Sequence, residues 1–465
     1  MTVPGGTERL AEIVGPVAER FQAAGHRLYL VGGVVRDLAI AAEPTAETTA
    51  TTVDHVVAGD IDLTTDAGPT EIRTLIAPIA EALWTQGERF GTIGATVNGQ
   101  PMEITTHRAE AYDPESRKPI VTFGDDLGED LSRRDFTINA MAIEVPDLAL
   151  HDPYDGLVDL HRRLLRTPLS PEVSFTDDPL RMLRASRFIT RFGLTPSPEL
   201  VVAATDLANR LAIVSVERVT DELERLLATE DPAAGLHFLI TTGLLPRVIT
   251  AFDGDEAAQQ QAVALAAADT DRVVRRAGLL WPVRSTAAEE LSRLRYPKAE
   301  SKATTALLAA TDRVLTADPS PSAVRRLIDR VGGDGFDRAL RLANAVTETT
   351  GRPGRDTPGG GRDTPGGGRD TPGGGRDTPG GGRDTVGELR LIRDELAADE
   401  DLDNFDPPLT GAEIMAVLGI GPGPVVGRAA AALRDHRLDV GPLDAESAIE
   451  VLRAWWRQTA PDGKR

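Results

Sequence analysis

The stretch Leu30-Val-Gly-Gly-Val-Val-Arg-Asp-Leu38, with Gly59-Asp-Ile-Asp-Leu63 downstream, decides the fold. A short apolar run meets two adjacent glycines, which predicts a strand that ends in a tight turn before a helix. Backbone amides at such a turn favour anions. Asp60 and Asp62 are two residues apart, so in a strand both carboxylates point to one face. Carboxylate oxygens suit Mg²⁺, which prefers one or two carboxylates plus substrate phosphates.

The composition excludes several classes of protein. The chain has 465 residues, enough for two to four domains, and it contains no cysteine, which excludes disulfides and thiolate metal sites. No apolar run approaches the ~18–20 residues that a membrane span needs. The N-terminus lacks the pattern of a secretory signal. We therefore expect a cytoplasmic protein with no membrane association, and the sequence implies no protein partner.

The charge distribution is uneven. A net charge of −21 argues against a generally basic nucleic-acid binder. It does not exclude a local basic track, and residues 162–191 carry seven arginines: Arg162, Arg163, Arg166, Arg181, Arg184, Arg187 and Arg191.

A third carboxylate follows on a predicted hairpin. Residues 92–97 and 102–106 alternate as strands do, and Asn98-Gly99 between them is the strongest short hairpin signal. This hairpin places Glu103 on a strand, where it is either an exposed surface residue or a third acidic group beside Asp60 and Asp62. Phosphoryl transfer at two metals needs a base or metal ligand near the attacking hydroxyl.

A long polar loop is predicted over residues 107–130, and Ser132-Arg-Arg-Asp follows it. Arg133 and Arg134 can hold phosphate bidentately, and Asp135 can accept a hydrogen bond from a ribose hydroxyl. The apolar run after Asp135 predicts a helix. On its own the motif favours a capped helix start with surface arginines.

Strand signals nearly vanish beyond residue 168. Asp177 or Asp178 is the expected N-cap of a helix with Pro179 in its first turn. Arg181 and Arg184 then lie three apart on one helix face. A further helix begins after Ser215, its expected cap.

Two segments do not have the composition of a packed domain. Residues 41–58 are rich in Ala, Thr and Glu, which is typical of a surface insertion. Residues 351–387 repeat Arg-Asp-Thr-Pro-Gly-Gly-Gly with a period of seven and are predicted to be a disordered linker.

The ordered set of motifs resembles the class II tRNA nucleotidyltransferases, or CCA-adding enzymes, of the tRNA nucleotidyltransferase/poly(A) polymerase family. Five stretches match in order: residues 32–37 with 60–62, 87–92, 133–140, 178–184 and 217–223. The stretch 413–428 near the C-terminus is also similar to the family. The resemblance covers most of the chain.

The resemblance implies a role for each matching residue. Asp60 and Asp62 would bind two Mg²⁺, and Glu103 would help to activate the 3′ hydroxyl. Asp178 and Arg181 would act as a protein template that reads the incoming base of CTP or ATP. The triphosphate and ribose would be held by Gly32, Gly33, Arg36, Arg133, Arg134, Asp135 and Asn139, with Arg184 and Arg187 as further nucleotide or RNA contacts.

The resemblance also implies an α+β fold. A polymerase-beta-like nucleotidyltransferase head, a mixed sheet with helices, would span residues 1–168. All-helical domains would follow as neck (169–235), body (236–350) and tRNA-binding tail (388–465). Relatives often carry a His-Asp metal pair in the body, but this chain has no histidine between His237 and His436. We therefore predict a degenerate body without metal or phosphatase activity.

The implied activity is the addition of C, C and A to the 3′ end of tRNA with release of pyrophosphate, and three alternatives stay open. A poly(A) polymerase would share the head, although its relatives carry a basic strand where this chain has Glu88-Arg-Phe-Gly-Thr92. A CC-only or A-only enzyme would share the templating helix, although CC-only relatives have a shortened loop where residues 113–126 lie here. A non-catalytic RNA-binding protein on a retired head is the third alternative.

Overall fold

The computed structural model describes residues 7–41, 61–111, 120–350 and 384–459. The chain divides into two compact units, a first unit of residues 1–259 and 293–295 and a second unit of residues 260–292 and 296–465. Asp60, nearly all of the 41–58 insertion, residues 112–119 of the loop and repeats 351–383 lie outside the described residues.

Eleven strands lie in the described part of the first unit. In chain order they are β1 Leu28–Val31, β2 Ile61–Thr65, β3 Ala82–Trp84, β4 Thr92–Val97, β5 Gln100–Thr106, β6 Arg108–Ala111, β7 Ile120–Phe123, β8 Ala142–Val145, β9 Ala149–His151, β10 Leu164–Leu165 and β11 Thr195–Pro196. Seven of them form one mixed sheet in the order β3-β4-β5-β2-β1-β8-β9. Only β2 and β5 run parallel among the neighbours in this sheet.

The β4–β5 hairpin confirms its prediction. Asn98 and Gly99 have φ of 52° and 73°, the left-handed values that a two-residue hairpin turn requires. The turn fixes the register of β5, which in turn pairs with β2 so that Glu103 lies opposite Asp62. The hairpin therefore decides which residues stand beside the aspartate.

The sheet separates two apolar layers, because successive strand residues face opposite sides. Leu30 of β1 packs in the larger layer, which the sheet shares with three helices: α1 Thr7–Ala23, α2 Gly33–Ala41 and α3 Pro69–Ile76. Tyr29, its neighbour, packs in the smaller layer with Val31, Leu131, Ala140 and Ala142.

Two local predictions between residues 107 and 145 are wrong. The expected loop contains an antiparallel ladder of β6 and β7, because Ile120-Val-Thr-Phe consists of β-branched and aromatic residues and pairs with residues 108–111. The expected helix after Asp135 is a single 3₁₀ turn, Thr137–Asn139, followed by β8. Ile143 and Val145 of β8 pair with β1, so tertiary pairing overrides the helical pattern.

The rest of the described first unit is mainly helical, as predicted. Its helices are α4 Leu127–Ser132, α5 Gly156–His161, α6 Pro171–Asp177, α7 Leu180–Phe192, α8 Pro198–Asp206, α9 Val216–Leu227, α10 Ala233–Thr241 and α11 Leu245–Val248. In α7, Leu180, Leu183 and Phe188 are buried. Ser215 precedes α9 at the N-cap position, but its side chain makes no capping hydrogen bond.

The regular secondary structure in the described part of the second unit is all helical, which confirms the predicted fold class. The helices that contribute to it are α12 Glu256–Ala267, α13 Arg272–Leu280, α14 Ala287–Arg293, α15 Lys298–Thr316, α16 Pro321–Val331, α17 Gly333–Thr350, α18 Thr385–Asp399, α19 Gly411–Leu418, α20 Pro424–Val440 and α21 Ala445–Thr459. Helix α18 includes the last three residues of the predicted linker, because the Asp384 carboxylate accepts from the Gly387 amide and caps the helix. None of the described helices has the length and hydropathy of a membrane span.

Candidate active site

The turn between β1 and α2 needs glycine. Gly32 has a φ of +75°, and a Cβ there would lie 3.3 Å from Arg134 Nη1 and 3.6 Å from Asp62 Oδ2. A side chain at this position would therefore be strained and would fill the space between the guanidinium and the carboxylate.

Asp62 and Glu103 stand side by side at the sheet surface. They are register partners on the parallel strands β2 and β5, and both are exposed. Neighbouring strands lie about 4.8 Å apart and register partners point to the same face, so the two carboxylates share one side of the sheet. Hard oxygen donors in this arrangement fit a divalent metal ion. Asp60, the other predicted ligand, lies outside the described residues.

A cavity of about 330 Å³ brings most of the predicted site residues together. Nine of them line it: Gly32, Gly33, Asp62, Arg134, Asp135, Asn139, Asp178, Arg181 and Arg184. Arg218 also lines it and was not predicted to belong to the site. Among the described residues, four predicted ones fall outside this lining: Arg36, Glu103, Arg133 and Arg187.

Arg133 and Arg134 share one buried partner. Their Nη2 atoms lie 3.4 and 3.1 Å from the two carboxylate oxygens of Asp130, which is 2% exposed. Burial would raise the pKa of Asp130, but the two guanidinium groups hold that pKa below its usual range. Within the described part of the chain, the buried Nε of Arg134 has no hydrogen-bond partner. Its Nη1 lies beside the glycine turn, 3.3 Å from the position that a Cβ on Gly32 would take, so Nη1 is the atom that an anion at the turn can contact.

Both carboxylate oxygens of Asp135 accept hydrogen bonds from groups of the protein. Oδ1 accepts from the Phe136 amide and from Asn139 Nδ2, both at 2.9 Å. Oδ2 accepts from Arg184 Nε at 2.9 Å and from Arg184 Nη2 at 2.6 Å. Burial opposes ionisation, but these partners hold the pKa of Asp135 below its usual range. A carboxylate has roughly four acceptor sites, so the geometry favours a positioning role over the predicted ribose contact.

Arg36 lies beneath the glycine turn. It is 5% exposed, donates to Asn139 Oδ1 at 2.7 Å and pairs with Asp37. Its guanidinium also stacks on the Phe192 ring at 4.3 Å, and burial lowers its pKa. We therefore correct its predicted triphosphate contact to a role in supporting the turn and Asn139.

Arg187 is also turned inward. It is 8% exposed and donates to Glu222 Oε2 at 2.8 Å. Its predicted contact with nucleotide or RNA gives way to a buried ion pair that joins α7 to α9.

The two predicted base-reading residues face the cavity from the start of α7. Asp178 Oδ1 accepts from the Leu180 amide at 3.1 Å, which is the predicted cap. Arg181 Nη1 donates to Ser174 Oγ at 2.8 Å, and its Nη2 donates to the Arg133 carbonyl. Arg181 therefore ties α7 to the segment that carries Arg134.

Arg218 is a site residue that the sequence reasoning missed. Its neighbour Glu217 pairs with Arg295. Arg218 instead reaches Asp178 Oδ2 at 3.0 Å from the first turn of α9. Forty residues separate this pair, so no local pattern could have shown it.

Two family models match the chain in sequence order. Residues 28–166 match the model described as Poly A polymerase head domain. Residues 193–253 match the model described as Probable RNA and SrmB- binding site of polymerase A. The first match covers the sheet and its glycine turn, and the second covers the helices that follow α7.

Curated relatives are CCA-adding enzymes. That of Levilactobacillus brevis is 38% identical over 234 residues, which are 50% of this chain and 54% of that protein. That of Lactiplantibacillus plantarum is 38% identical over 253 residues, which are 54% of this chain and 57% of that protein. The chain thus spans about half the length of the curated relatives it matches.

Solved structures extend the likeness in fold over nearly the whole chain. The Bacillus stearothermophilus CCA-adding enzyme in complex with CTP is 25% identical, with a TM-score of 0.67 and 98% of both chains covered. The Thermotoga maritima CCA-adding enzyme complexed with tRNA is 18% identical, with a TM-score of 0.65 and the same coverage of both chains. The second likeness shows the fold alone.

The mixed-sheet head and the helices after it define a polymerase-beta-like nucleotidyltransferase fold. The two family models match this head and the helical segment beyond it, and they follow each other along the chain in the order that the sequence motifs predicted. Over residues 28–166 and 193–253 the chain is therefore similar to the tRNA nucleotidyltransferase/poly(A) polymerase family.

Proposed function

We propose that the chain adds C, C and A in turn to the 3′ end of tRNA, using CTP and ATP and releasing pyrophosphate. The observation that carries this proposal is the cavity itself. Asp62 and the glycine turn line it together with Asp178 and Arg181, so groups for chemistry and for base choice share one space. A cytoplasmic location and the division into head, neck, body and tail are part of the proposal.

The residues at the sheet surface fit a divalent metal, and we propose Mg²⁺ held by Asp60 and Asp62, with Glu103 beside Asp62 on the neighbouring strand. When bound, it would lower the pKa of the attacking hydroxyl and neutralise charge on the phosphates. The tRNA 3′ oxygen would form a bond to the α-phosphorus while the bond to pyrophosphate breaks. Glu103 is the proposed acceptor of the hydroxyl proton.

The glycine turn and Arg134 would hold the triphosphate. Gly32 leaves room for a close approach of the backbone, and Arg134 Nη1 lies beside the position that a Gly32 Cβ would take. Backbone amides and guanidinium groups are the donors that phosphate oxygens accept from.

Asp178 and Arg181 would select the base. A carboxylate accepts from the exocyclic amine of cytosine or adenine, and a guanidinium donates to the adjacent ring nitrogen. Uracil and guanine carry a carbonyl oxygen where the amine would be, and that oxygen would face the carboxylate. A buried polar group left without its partner is heavily penalised, which gives the selection its strength.

The experiment offers tRNA lacking its 3′ CCA together with Mg²⁺ and each nucleotide, alone and combined, and sequences the products. Addition of CCA followed by a stop supports the proposal. Long A tails identify a poly(A) polymerase, and a stop at CC or addition of A alone identifies a partial enzyme. Binding of tRNA without any nucleotide transfer identifies a non-catalytic RNA-binding protein.

A further inference from the structure

Ser174 touches both base-reading residues of the cavity. It lies in α6 and is 3% exposed. Its Oγ accepts from Arg181 Nη1 at 2.8 Å, and its carbonyl oxygen accepts from the Asp178 amide at 3.2 Å. Ser174 thus holds both the guanidinium of Arg181 and the backbone of Asp178.

The contacts of Arg181 differ from those of Arg184 on the same helix face. Arg184 donates to the Asp135 carboxylate, so an acidic partner offsets its charge. Arg181 donates to the Ser174 hydroxyl and the Arg133 carbonyl, which are both neutral. These two bonds fix the plane of the guanidinium without neutralising its charge. A fixed, charged donor plane is what recognition of a base edge requires.

We propose that Ser174 is a positioning residue that sets base selection by holding Arg181 in its reading orientation. This inference rests on the proposed nucleotidyl transfer. Without the hydroxyl, Arg181 keeps only the backbone carbonyl of Arg133 and gains rotamer freedom. Its donors then adjust to the acceptors of a wrong base, so discrimination falls more than the rate with the correct base.

The experiment compares Ser174→Ala with Ser170→Ala, a matched control from the same helix. Ser170 is the N-cap of α6 and accepts only from the helix backbone, at the Val173 amide. Both changes remove one hydroxyl from α6, but only the first removes a partner of Arg181. The readout is the ratio of kcat/KM for CTP over UTP at the first addition and for ATP over GTP at the last.

We expect Ser174→Ala to lower these ratios by about tenfold or more, the effect of losing a hydrogen bond to a charged group. Ser170→Ala should leave them within about threefold of the unchanged chain, and Ser174→Thr, which keeps a hydroxyl, should restore most of the discrimination. Thermal unfolding of each variant identifies losses that come from folding.

Three results separate the possibilities. Equal ratios for Ser174→Ala and the unchanged chain would overturn the inference while leaving the proposed function intact. An equal fall in the ratios for Ser170→Ala and Ser174→Ala would also overturn it, because stability of α6 would then be the cause. An unchanged chain that transfers neither CMP nor AMP would overturn both proposals.

Discussion

Buried carboxylates organise the arginines around the cavity. Asp135 joins Asn139 and Arg184, and Asn139 in turn accepts from Arg36. Asp130 plays the same part for Arg133 and Arg134. Arg134 and Arg184 therefore line the cavity in orientations set by acids behind them, which lowers the ordering cost when a nucleotide binds.

Replacing Asp135 tests this arrangement. Asp135→Asn leaves the partly buried Arg184 with only its longer contact to Glu222, at 3.8 Å, and we expect a loss of about 3 kcal/mol in the free energy of unfolding at pH 7. Chemical unfolding measures it. The control, Asp221→Asn, breaks the exposed Asp221–Arg225 pair and should change stability by less than about 0.5 kcal/mol.

The pH dependence of this effect follows from the pKa of Asp135. That pKa is lowered in the folded protein, so the carboxylate contributes stability above its unfolded value of about 3.9 and loses it as the pH falls through the folded value. The stability difference between the unchanged chain and Asp135→Asn should therefore shrink between pH 5 and pH 3. A stability difference that stays constant over this pH range would contradict the conclusion that Asp135 is ionised in the folded protein.

The sequence predicted which residues gather more reliably than it predicted which way they face. Asp178 and Arg181 were expected at the site and line the same cavity as Asp62. Arg36 and Arg187 belong to the same motifs, but phenylalanine rings and Glu222 draw them inward. These partners lie far along the chain, so a motif alone does not reveal them.

Among elements, the packing of α10 on α7 supports the site most directly. Gly235 of α10 meets α7 so closely that a Cβ there would lie 2.4 Å from the Ser186 carbonyl oxygen and 2.6 Å from Thr190 Oγ1. Its amide donates to Thr190 Oγ1 at 2.8 Å. Glycine at this position allows α10 to lie against the helix that carries Arg181.

Two helical glycines are predicted to respond in opposite ways to alanine. Gly235→Ala forces α10 away from the backbone of α7, and we expect a loss of about 2 kcal/mol or more in the free energy of unfolding. Gly15→Ala, inside α1, meets nothing within 4 Å and should be neutral or stabilise by up to about 1 kcal/mol. Thermal unfolding of both variants measures the two changes in stability. A stabilised Gly235→Ala protein would refute the close packing.

Elements with a strong local signal were predictable, and elements made by pairing were not. The Asn98-Gly99 turn fixes its hairpin through backbone conformations that those residues favour. β8 has an apolar run that suits a helix equally well, and its strand exists because β1 offers it a partner. Local conformational propensity therefore determines the hairpin, and tertiary pairing determines β8.

At the scale of the whole molecule, ion pairs neutralise part of the predicted basic track, residues 162–191. Three of its arginines pair with carboxylates: Arg166 with Asp159, Arg184 with Asp135 and Arg187 with Glu222. In a chain of net charge −21, these pairs leave a smaller positive surface than the arginine count suggests. Binding of tRNA by this track and by the tail stays a prediction.

Shortening the repeats tests their predicted role as a passive linker. Deletion of residues 362–375 removes two seven-residue repeats. Because Gly- and Pro-rich chain buries no core and loop closure depends weakly on length, we expect an unchanged unfolding temperature and tRNA Kd within about twofold. Thermal unfolding and a binding titration measure this. A large loss of tRNA affinity would assign the repeats to RNA binding.

The most direct test of the central claim measures CMP transfer by Asp62→Asn and Glu103→Gln, with tRNA binding as the control. Both substitutions keep shape and remove a charge from the paired strands β2 and β5. We predict that Asp62→Asn lowers the transfer rate by about a thousandfold or more, that Glu103→Gln lowers it strongly, and that both keep tRNA affinity within about threefold. An Asp62→Asn protein that transfers CMP at the normal rate would contradict the account.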